Sequence, residues 1–142
     1  AVTRLVDMGV EPFLVASSVT AVLAQRLVRL ICKDCKETYA PSEEILMDVG
    51  LAGAKNIKFY RGKGCDKCMN TGYKGRVGIF ELMLPDDEIR ALTVAKTSTT
   101  EIRKTALKNG MKTMQEDGIE KVKAGATTLE EVLRVTQEEE QR

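Results

Sequence analysis

The chain has 142 residues and 15.7 kDa, with 43% hydrophobic and 30% charged residues; this suits one globular domain, or one domain with a small insert, and excludes wholesale disorder and fibrous repeats. Twenty-two basic against 21 acidic residues leave a formal charge of +1, so no global field draws the chain to nucleic acid or an acidic membrane surface. There is no His, which removes the commonest general base and the Ser–His and Cys–His nucleophile pairs. Aromatic residues are only 4%, so the core must be built from Val, Leu, Ile, Ala and Met.

The first ten residues hold Arg4 and Asp7 and no initiator Met, so no signal peptide is expected and the chain is read as beginning within a longer protein. Val10 to Ile31 reads as one helix: Pro12 suits a first turn, and apolar residues recur at Val15, Val19, Val22 or Leu23, Leu27, and Leu30 or Ile31. Gln25, Arg26 and Arg29 are the long polar exceptions, beside Glu11 and the small hydroxyl residues Ser17, Ser18 and Thr20, and so many other positions are apolar that burial on most sides is expected. The uncharged stretch Pro12 to Gln25 is 14 residues, short of the roughly 20 that a membrane-spanning helix needs, so no transmembrane segment is expected.

Residues 32–75 read as an insert. Pro41 and Ser42 open a short helix with Glu43 and Glu44 in its first turn, where the helix dipole favours acids. Residues 56–60 alternate apolar and polar as a strand does, and 76–83 form a second strand candidate. From Pro85 onward the sequence punctuates helices. Asp86 caps one carrying Ile89 and Leu92; Ser98 with Glu101 opens one carrying Ile102, Ala106 and Leu107, stopped at Gly110. Thr113 with Glu116 opens the next, stopped at Gly125, and Thr127 with Glu130 opens the last, with a frayed end expected over 138–142.

All four cysteines fall into two pairs, Cys32 with Cys35 and Cys65 with Cys68, separated by 29 residues. Two intervening residues let a tight turn aim both sulfurs at one point about 2.3 Å away, so each pair supplies half a tetrahedron. Gly62, Gly64, Gly72 and Gly75 permit the left-handed backbone such knuckles adopt. Without His, the site is a four-thiolate one with no open position, which makes it structural: a Zn2+ site on Cys32, Cys35, Cys65 and Cys68. The rivals are disulfides, thioredoxin-like redox chemistry, and four unrelated buried thiols. Zinc-ribbon spacing of two pairs favours the metal. Closing the loop costs chain entropy, against which structural zinc offers apparent binding energies of about 10–16 kcal/mol.

Residues 53–78 concentrate basic charge, with Lys55, Lys58, Arg61, Lys63, Lys67, Lys74 and Arg76 against Asp66 alone. With Phe59, Tyr60 and Tyr73 nearby, this motivates an alternative reading as a stand-alone zinc ribbon that binds nucleic acid. A chaperone-type cysteine-rich module is weaker, because only two cysteine pairs are present and the glycine spacing is wrong. No G-x-x-x-x-G-K-[ST] phosphate loop and no G-x-G-x-x-G motif occurs, so the chain has no nucleotide cradle of its own.

The segments from Val2 to Leu14, from Leu23 to Arg29, and from Gly64 to Leu82 through the second cysteine pair resemble the assembly ATPases of type II secretion and type IV pili, the GspE/PilB group. Gly110-Met-Lys-Thr-Met with Asp117-Gly118, and Gly125 to Thr136, continue the likeness over nearly the whole chain. The resemblance implies the C-terminal part of a cytoplasmic, ring-forming hexameric motor, peripheral to the inner membrane through its partners. Such motors couple ATP hydrolysis with Mg2+ to pilus or pseudopilus assembly on an inner-membrane platform. It also implies that the phosphate loop, acidic boxes and histidine box lie upstream, so this chain alone is expected not to hydrolyse ATP.

The expected fold class is therefore α+β and mostly helical: a zinc-stapled insert with short strands, followed by a small bundle of short helices. The expected division is 1–31 as the end of the motor domain, 32–75 as the metal insert, and 76–142 as a strand plus helical subdomain. By the family likeness, Arg76, with Arg26 behind it, is the candidate for an arginine acting in trans on a neighbouring subunit's transferring phosphate. The alternative for each is a structural ion pair, for which Glu81 would be an imperfect partner of Arg76, on the opposite strand face.

Overall fold

The run from 10 to 31 does not form the single helix that its apolar spacing predicts. The computed structural model describes the backbone of residues 1–140 and side-chain burial through Gln137. In it, helix α1 (Val2–Asp7) is followed by a seven-residue helix, α2 (Pro12–Ser18), and then by a ten-residue strand, β1 (Val22–Ile31). Val19 already has extended φ and ψ of −75° and 118°. Along β1 burial alternates: Val28 is fully buried, whereas Leu23 and Leu27, core positions of the helical reading, are 60% and 46% exposed. A run this rich in apolar residues satisfies the period of 3.6 and the period of 2 together, and β-branched Val19, Thr20 and Val22 favour extended chain. Pairing with a distant strand decides the outcome.

The remaining elements are β2 (Lys36–Tyr39), α3 (Glu43–Asp48), β3 (Phe59–Gly62), β4 (Tyr73–Met83), α4 (Asp87–Val94), α5 (Thr99–Lys108), α6 (Met114–Lys123) and α7 (Leu129–Glu140). β1 pairs with β4 in one two-stranded sheet, and β2 pairs with β3 in another. The protein is α+β and helix-rich, as expected. The strand expected at 56–60 lies instead at Phe59–Gly62, because its register is set by the antiparallel partner: Lys36 faces Gly62 and Tyr39 faces Phe59. The second strand begins three residues earlier than expected, at Tyr73.

Capping proceeds largely as the sequence predicts. Ser42 accepts from the Ile45 N–H at 3.3 Å, Asp86 from the Ile89 N–H at 2.9 Å, and Ser98 from the Glu101 N–H at 3.4 Å. Gly110 and Gly125 end α5 and α6 at φ of 103° and 79°, each followed by an N–H that reaches back over the last turn, Met111 to Ala106 and Ala126 to Lys121. The cap of α7 is displaced by one residue. Thr128, not Thr127, accepts from the Glu131 N–H at 3.2 Å, while the Thr127 hydroxyl donates to the Arg29 carbonyl at 2.7 Å. The side chains of the frayed end expected over 138–142, and residues 141 and 142 altogether, lie outside the described residues.

The chain divides into two compact units, each discontinuous in sequence: 1–24 with 81–113, and 25–80 with 114–142. In the first, α2 packs on α1 and α4, and α4 on α5. Its core is Val2, Val15, Ile89, Ile102 and Ala106, flanked by Val6, Val19, Leu92 and Met111. The Arg90 guanidinium closes the end of α2 by donating to the carbonyls of Ala16 and Val19 and also to that of Pro85. In the second unit, α6 packs on α7 and on β3, and Phe59, Val122, Leu129 and Val132 form the buried centre. Gly118 lets the two helices approach, since a Cβ there would lie 2.6 Å from Val132 Cγ1.

Candidate metal centre

Cys32 directly follows β1 and Cys35 directly precedes β2, while Cys65 and Cys68 bracket a single 3-10 turn between β3 and β4. The antiparallel pairing of β2 with β3 therefore brings the two cysteine pairs to the same end of one small sheet. Backbone bonds fix the approach: the Lys63 N–H donates to the Cys35 carbonyl at 3.0 Å, and the Cys32 N–H to the Gly72 carbonyl at 2.9 Å. The four sulfur atoms all lie within 4.8 Å of one another. Cys32 and Cys65 are 3.8 Å apart, Cys35 and Cys68 3.8 Å, and Cys65 and Cys68 3.7 Å. A zinc ion bound at about 2.3 Å by four tetrahedral thiolates requires sulfur–sulfur edges of about 3.8 Å. The cysteines are free, not joined as disulfides.

Backbone N–H groups point at these sulfurs: Gly64 at Cys35 (3.3 Å), and Cys65 and Gly72 at Cys68 (3.3 and 3.2 Å). Such donors spread thiolate charge and orient the ligand. Past Cys68 the chain turns back through Met69 and Asn70, both left-handed at φ of 56° and 62°, and the Asn70 N–H returns to the Cys65 carbonyl at 2.8 Å. The glycines serve two purposes rather than one. Gly64, Gly72 and Gly75 have positive φ, as expected, but Gly62 does not: its Cβ would lie 2.0 Å from the Gly72 carbonyl oxygen. Gly62 is needed for close backbone approach.

The sulfurs differ in their readiness to ionise. Burial opposes ionisation at Cys68, but the N–H groups of Cys65 and Gly72 and the neighbouring thiols overcome it and lower this thiol to about 6. Burial pushes the Cys35 thiol up to about 12, against the pull of the Gly64 N–H and with the help of the adjacent sulfurs. Four adjacent sulfurs become thiolates together only with a cation among them. A soft all-sulfur donor set, of the right edge length and with N–H donors behind it, fits zinc.

Beside this centre stands a polar cluster that periodicity does not reveal. Glu131 on α7 is 2% exposed and accepts from the Arg29 backbone N–H (2.8 Å), Arg29 Nε and Nη2 (3.1 and 2.8 Å), and Arg134 Nε and Nη2 (3.1 Å each). The Arg29 guanidinium also lies 4.2 Å over the Tyr73 ring, and the Tyr73 hydroxyl meets the Thr128 hydroxyl at 2.7 Å. Glu131 sits between Leu129 and Val132, both fully buried. An acid enclosed by core positions is the one sequence signal that would have found it.

The two candidate arginines are not gathered with the sulfurs into one cluster. Arg26 is half-buried and shares the inward register of Val28 on β1, whereas Arg76 is exposed and shares the outward register of Lys74 and Phe80 on β4. Glu81, the imperfect partner, is held by Arg103 at 2.9 Å. The aromatic residues of the nucleic-acid reading are engaged within the chain: Phe59 is buried, Lys36 covers Tyr60 at 4.6 Å, and Arg29 covers Tyr73.

The sequence profile described as "Type II/IV secretion system protein" matches residues 1–134. The chain belongs to this family. It is 50% identical over 135 residues to the type IV pilus assembly ATPase PilB of Thermus thermophilus, covering 94% of this chain and 15% of that protein. It is 48% identical over 139 residues to the type II secretion system protein E of Pseudomonas aeruginosa (98% of this chain, 28% of that protein). With the type II secretion system ATPase E of Vibrio cholerae it shares 45% identity over 138 residues (97% and 27%). This member of the type II/IV secretion family thus spans less than a third of the length of these curated relatives. Among its described residues, no helix is long and apolar enough to cross a membrane.

Proposed function

We propose that this chain is the C-terminal, zinc-stapled part of a hexameric ATPase that powers pseudopilus or pilus assembly, with Cys32, Cys35, Cys65 and Cys68 holding one structural Zn2+. In this reading, 1–31 ends the motor domain, 32–75 is the metal insert, and 76–142 supplies a strand and the terminal helices. ATP and Mg2+ belong to the rest of the parent protein, which works in the cytoplasm against an inner-membrane platform. The observation that carries the reading is 45–50% identity, running through 94–98% of the chain, to a type IV pilus assembly ATPase, a type II secretion system ATPase and a type II secretion system protein E. The sulfur edges of 3.7–3.8 Å support the metal assignment. Zinc here would be purely structural, joining the end of β1 to the start of β4.

The chain carries no phosphate loop, so it should not turn over ATP alone, whereas the parent should. Arg76, exposed on β4, is the residue proposed to reach a neighbouring subunit's transferring phosphate, with Arg26 the second candidate. The test is Arg76→Ala in the parent protein, with steady-state turnover and ATP binding measured side by side. Turnover should fall by at least tenfold with little change in binding; unchanged turnover would remove the in-trans role. Sustained ATP hydrolysis by the purified 142-residue chain would overturn the division of labour.

A further inference from the structure

Within the unit formed by 1–24 and 81–113, α4 and α5 are latched at one corner. Asp86, the N-cap of α4, accepts from the Ile89 N–H through Oδ1 at 2.9 Å. Through Oδ2 it accepts at 2.6 Å from the side-chain amide of Asn109, the C-cap of α5. The Ile89 N–H foremost, and the Asn109 amide with it, hold the Asp86 carboxyl below its ordinary range, so the latch joins an amide to a carboxylate. Asn109 is also the one asparagine followed by glycine: Asn56 precedes Ile57, and Asn70 precedes Thr71. The backbone nitrogen after an asparagine can close a five-membered ring on its Cγ. Glycine carries no side chain to hinder that approach, and a Cβ built at Gly110 would meet nothing within 4 Å.

We propose that Asn109 is a spontaneous modification site, whose conversion to aspartate or isoaspartate unlatches α5 from α4. The Gly110 nitrogen gives its proton to water and forms a bond to Asn109 Cγ. The bond from Cγ to Nδ2 breaks, and the amide leaves as ammonia with a proton from water, closing a five-membered imide. Water then opens the ring at either carbonyl, leaving aspartate, or isoaspartate with the main chain routed through Cβ and Cγ. One water is consumed and one ammonia released, with no oxidant, metal or second protein. The native fold slows this step. At ψ of 11° the Gly110 nitrogen is nearly eclipsed with the Asn109 nitrogen and turned away from Cβ, and its N–H is given to the Leu107 carbonyl at 3.1 Å. Ring closure therefore waits on opening of the last turn of α5. Once formed, the new carboxylate faces Asp86 where an N–H donor stood. It also lies at the C-terminal end of α5, where the helix dipole disfavours negative charge.

Ageing of the purified protein in warm neutral buffer, then digestion and peptide mass spectrometry, follows amide-to-acid conversion at all three asparagines in one sample. Asn109 should convert several-fold faster than Asn56 and Asn70, with isoaspartate among its products. Asp86→Ser keeps an oxygen for the α4 N-cap but withdraws the latch. It should speed conversion at Asn109 by about three- to tenfold, what one hydrogen bond contributes to keeping a helix end closed, and leave the other two unchanged. Conversion at Asn109 no faster than at Asn56 and Asn70 overturns the site, and a rate indifferent to Asp86→Ser overturns its gating by the latch. Asn109→Asp reads the consequence separately. It should lower the melting temperature by several degrees in the wild-type background and clearly less beside Asp86→Ser, since the facing carboxylate is then gone. Equal losses in both backgrounds, or no loss in either, overturn the unlatching.

Discussion

Arg29 binds the carboxylate of Glu131 three times, through its own backbone N–H as well as Nε and Nη2, across 102 residues of sequence. The same stretch of β1 receives the Thr127 hydroxyl on the Arg29 carbonyl and gives the Ile31 N–H to the Ala126 carbonyl at 2.9 Å, three residues and one residue before Cys32. Helix α7 is thus moored to the strand that leads into the four-cysteine cluster.

Glu131→Ala should destabilise the chain by about 2–4 kcal/mol, since it deletes a 2%-exposed carboxylate and strands the Arg29 backbone N–H it satisfied. Arg29→Ala should cost less, because that guanidinium is about half exposed and Arg134 remains on the carboxylate. Urea unfolding of the two variants measures both values, and the reverse ranking would contradict this arrangement.

Acid should weaken the same contact. Burial favours the protonated form of Glu131, but the Arg29 and Arg134 guanidiniums and the Arg29 N–H outweigh it and hold this carboxyl at about 2, below its ordinary 4.5. The folded value lies under the unfolded one, so the stabilisation is complete above about pH 4.5 and is lost as pH falls toward 2. By linkage it is worth up to about 3 kcal/mol, less the screening by water around the half-exposed arginines. Wild type and Glu131→Gln should therefore differ most at pH 7 and converge only as pH falls to about 2 and below; a gap independent of pH would show that the charge plays no part.

The contact of α6 with α7 offers a paired test. Gly118→Ala places a methyl 2.6 Å from Val132 Cγ1 and should cost about 1–3 kcal/mol by overpacking. Val132→Ala alone should cost a similar amount by leaving a cavity. Combined, they should cost clearly less than the sum of the two, because the second change makes room for the first. Strict additivity in thermal melts would mean that the two sites do not share this contact.

Removal of the metal should be felt well beyond the sulfurs. Elemental analysis should find one zinc per chain, and a strong chelator should lower the melting temperature by more than 10 °C or abolish the cooperative transition, given apparent zinc affinities of about 10–16 kcal/mol in small domains. Cys68→Ser and Cys32→Ser should each mimic chelation. A melt indifferent to chelation would leave the four-thiolate site without a structural role.

The parts legible in the sequence are those whose physics is local. Two residues between cysteines, a Ser or Asp three residues before a free N–H, and a glycine at positive φ each act over one turn of chain. The convergence of Cys32, Cys35, Cys65 and Cys68, the caps at Ser42, Asp86 and Ser98, and the stops at Gly110 and Gly125 therefore appear where spacing puts them. The α7 cap shows how narrow that legibility is: Thr127 and Thr128 are adjacent and both suited to the role, and Thr127 is diverted to Arg29, which only the folded chain brings near.

What tertiary structure alone decided is whatever depends on partners far along the chain. The run from 10 to 31 is apolar at both periods, so local preference leaves helix and strand nearly balanced, and pairing with β4 tips it to a strand from Val22. Glu131 reads as one surface acid among several until a strand a hundred residues earlier encloses it. Short-range stereochemistry is written residue by residue, whereas burial and pairing are properties of two segments at once, and a linear reading sees each segment without the other.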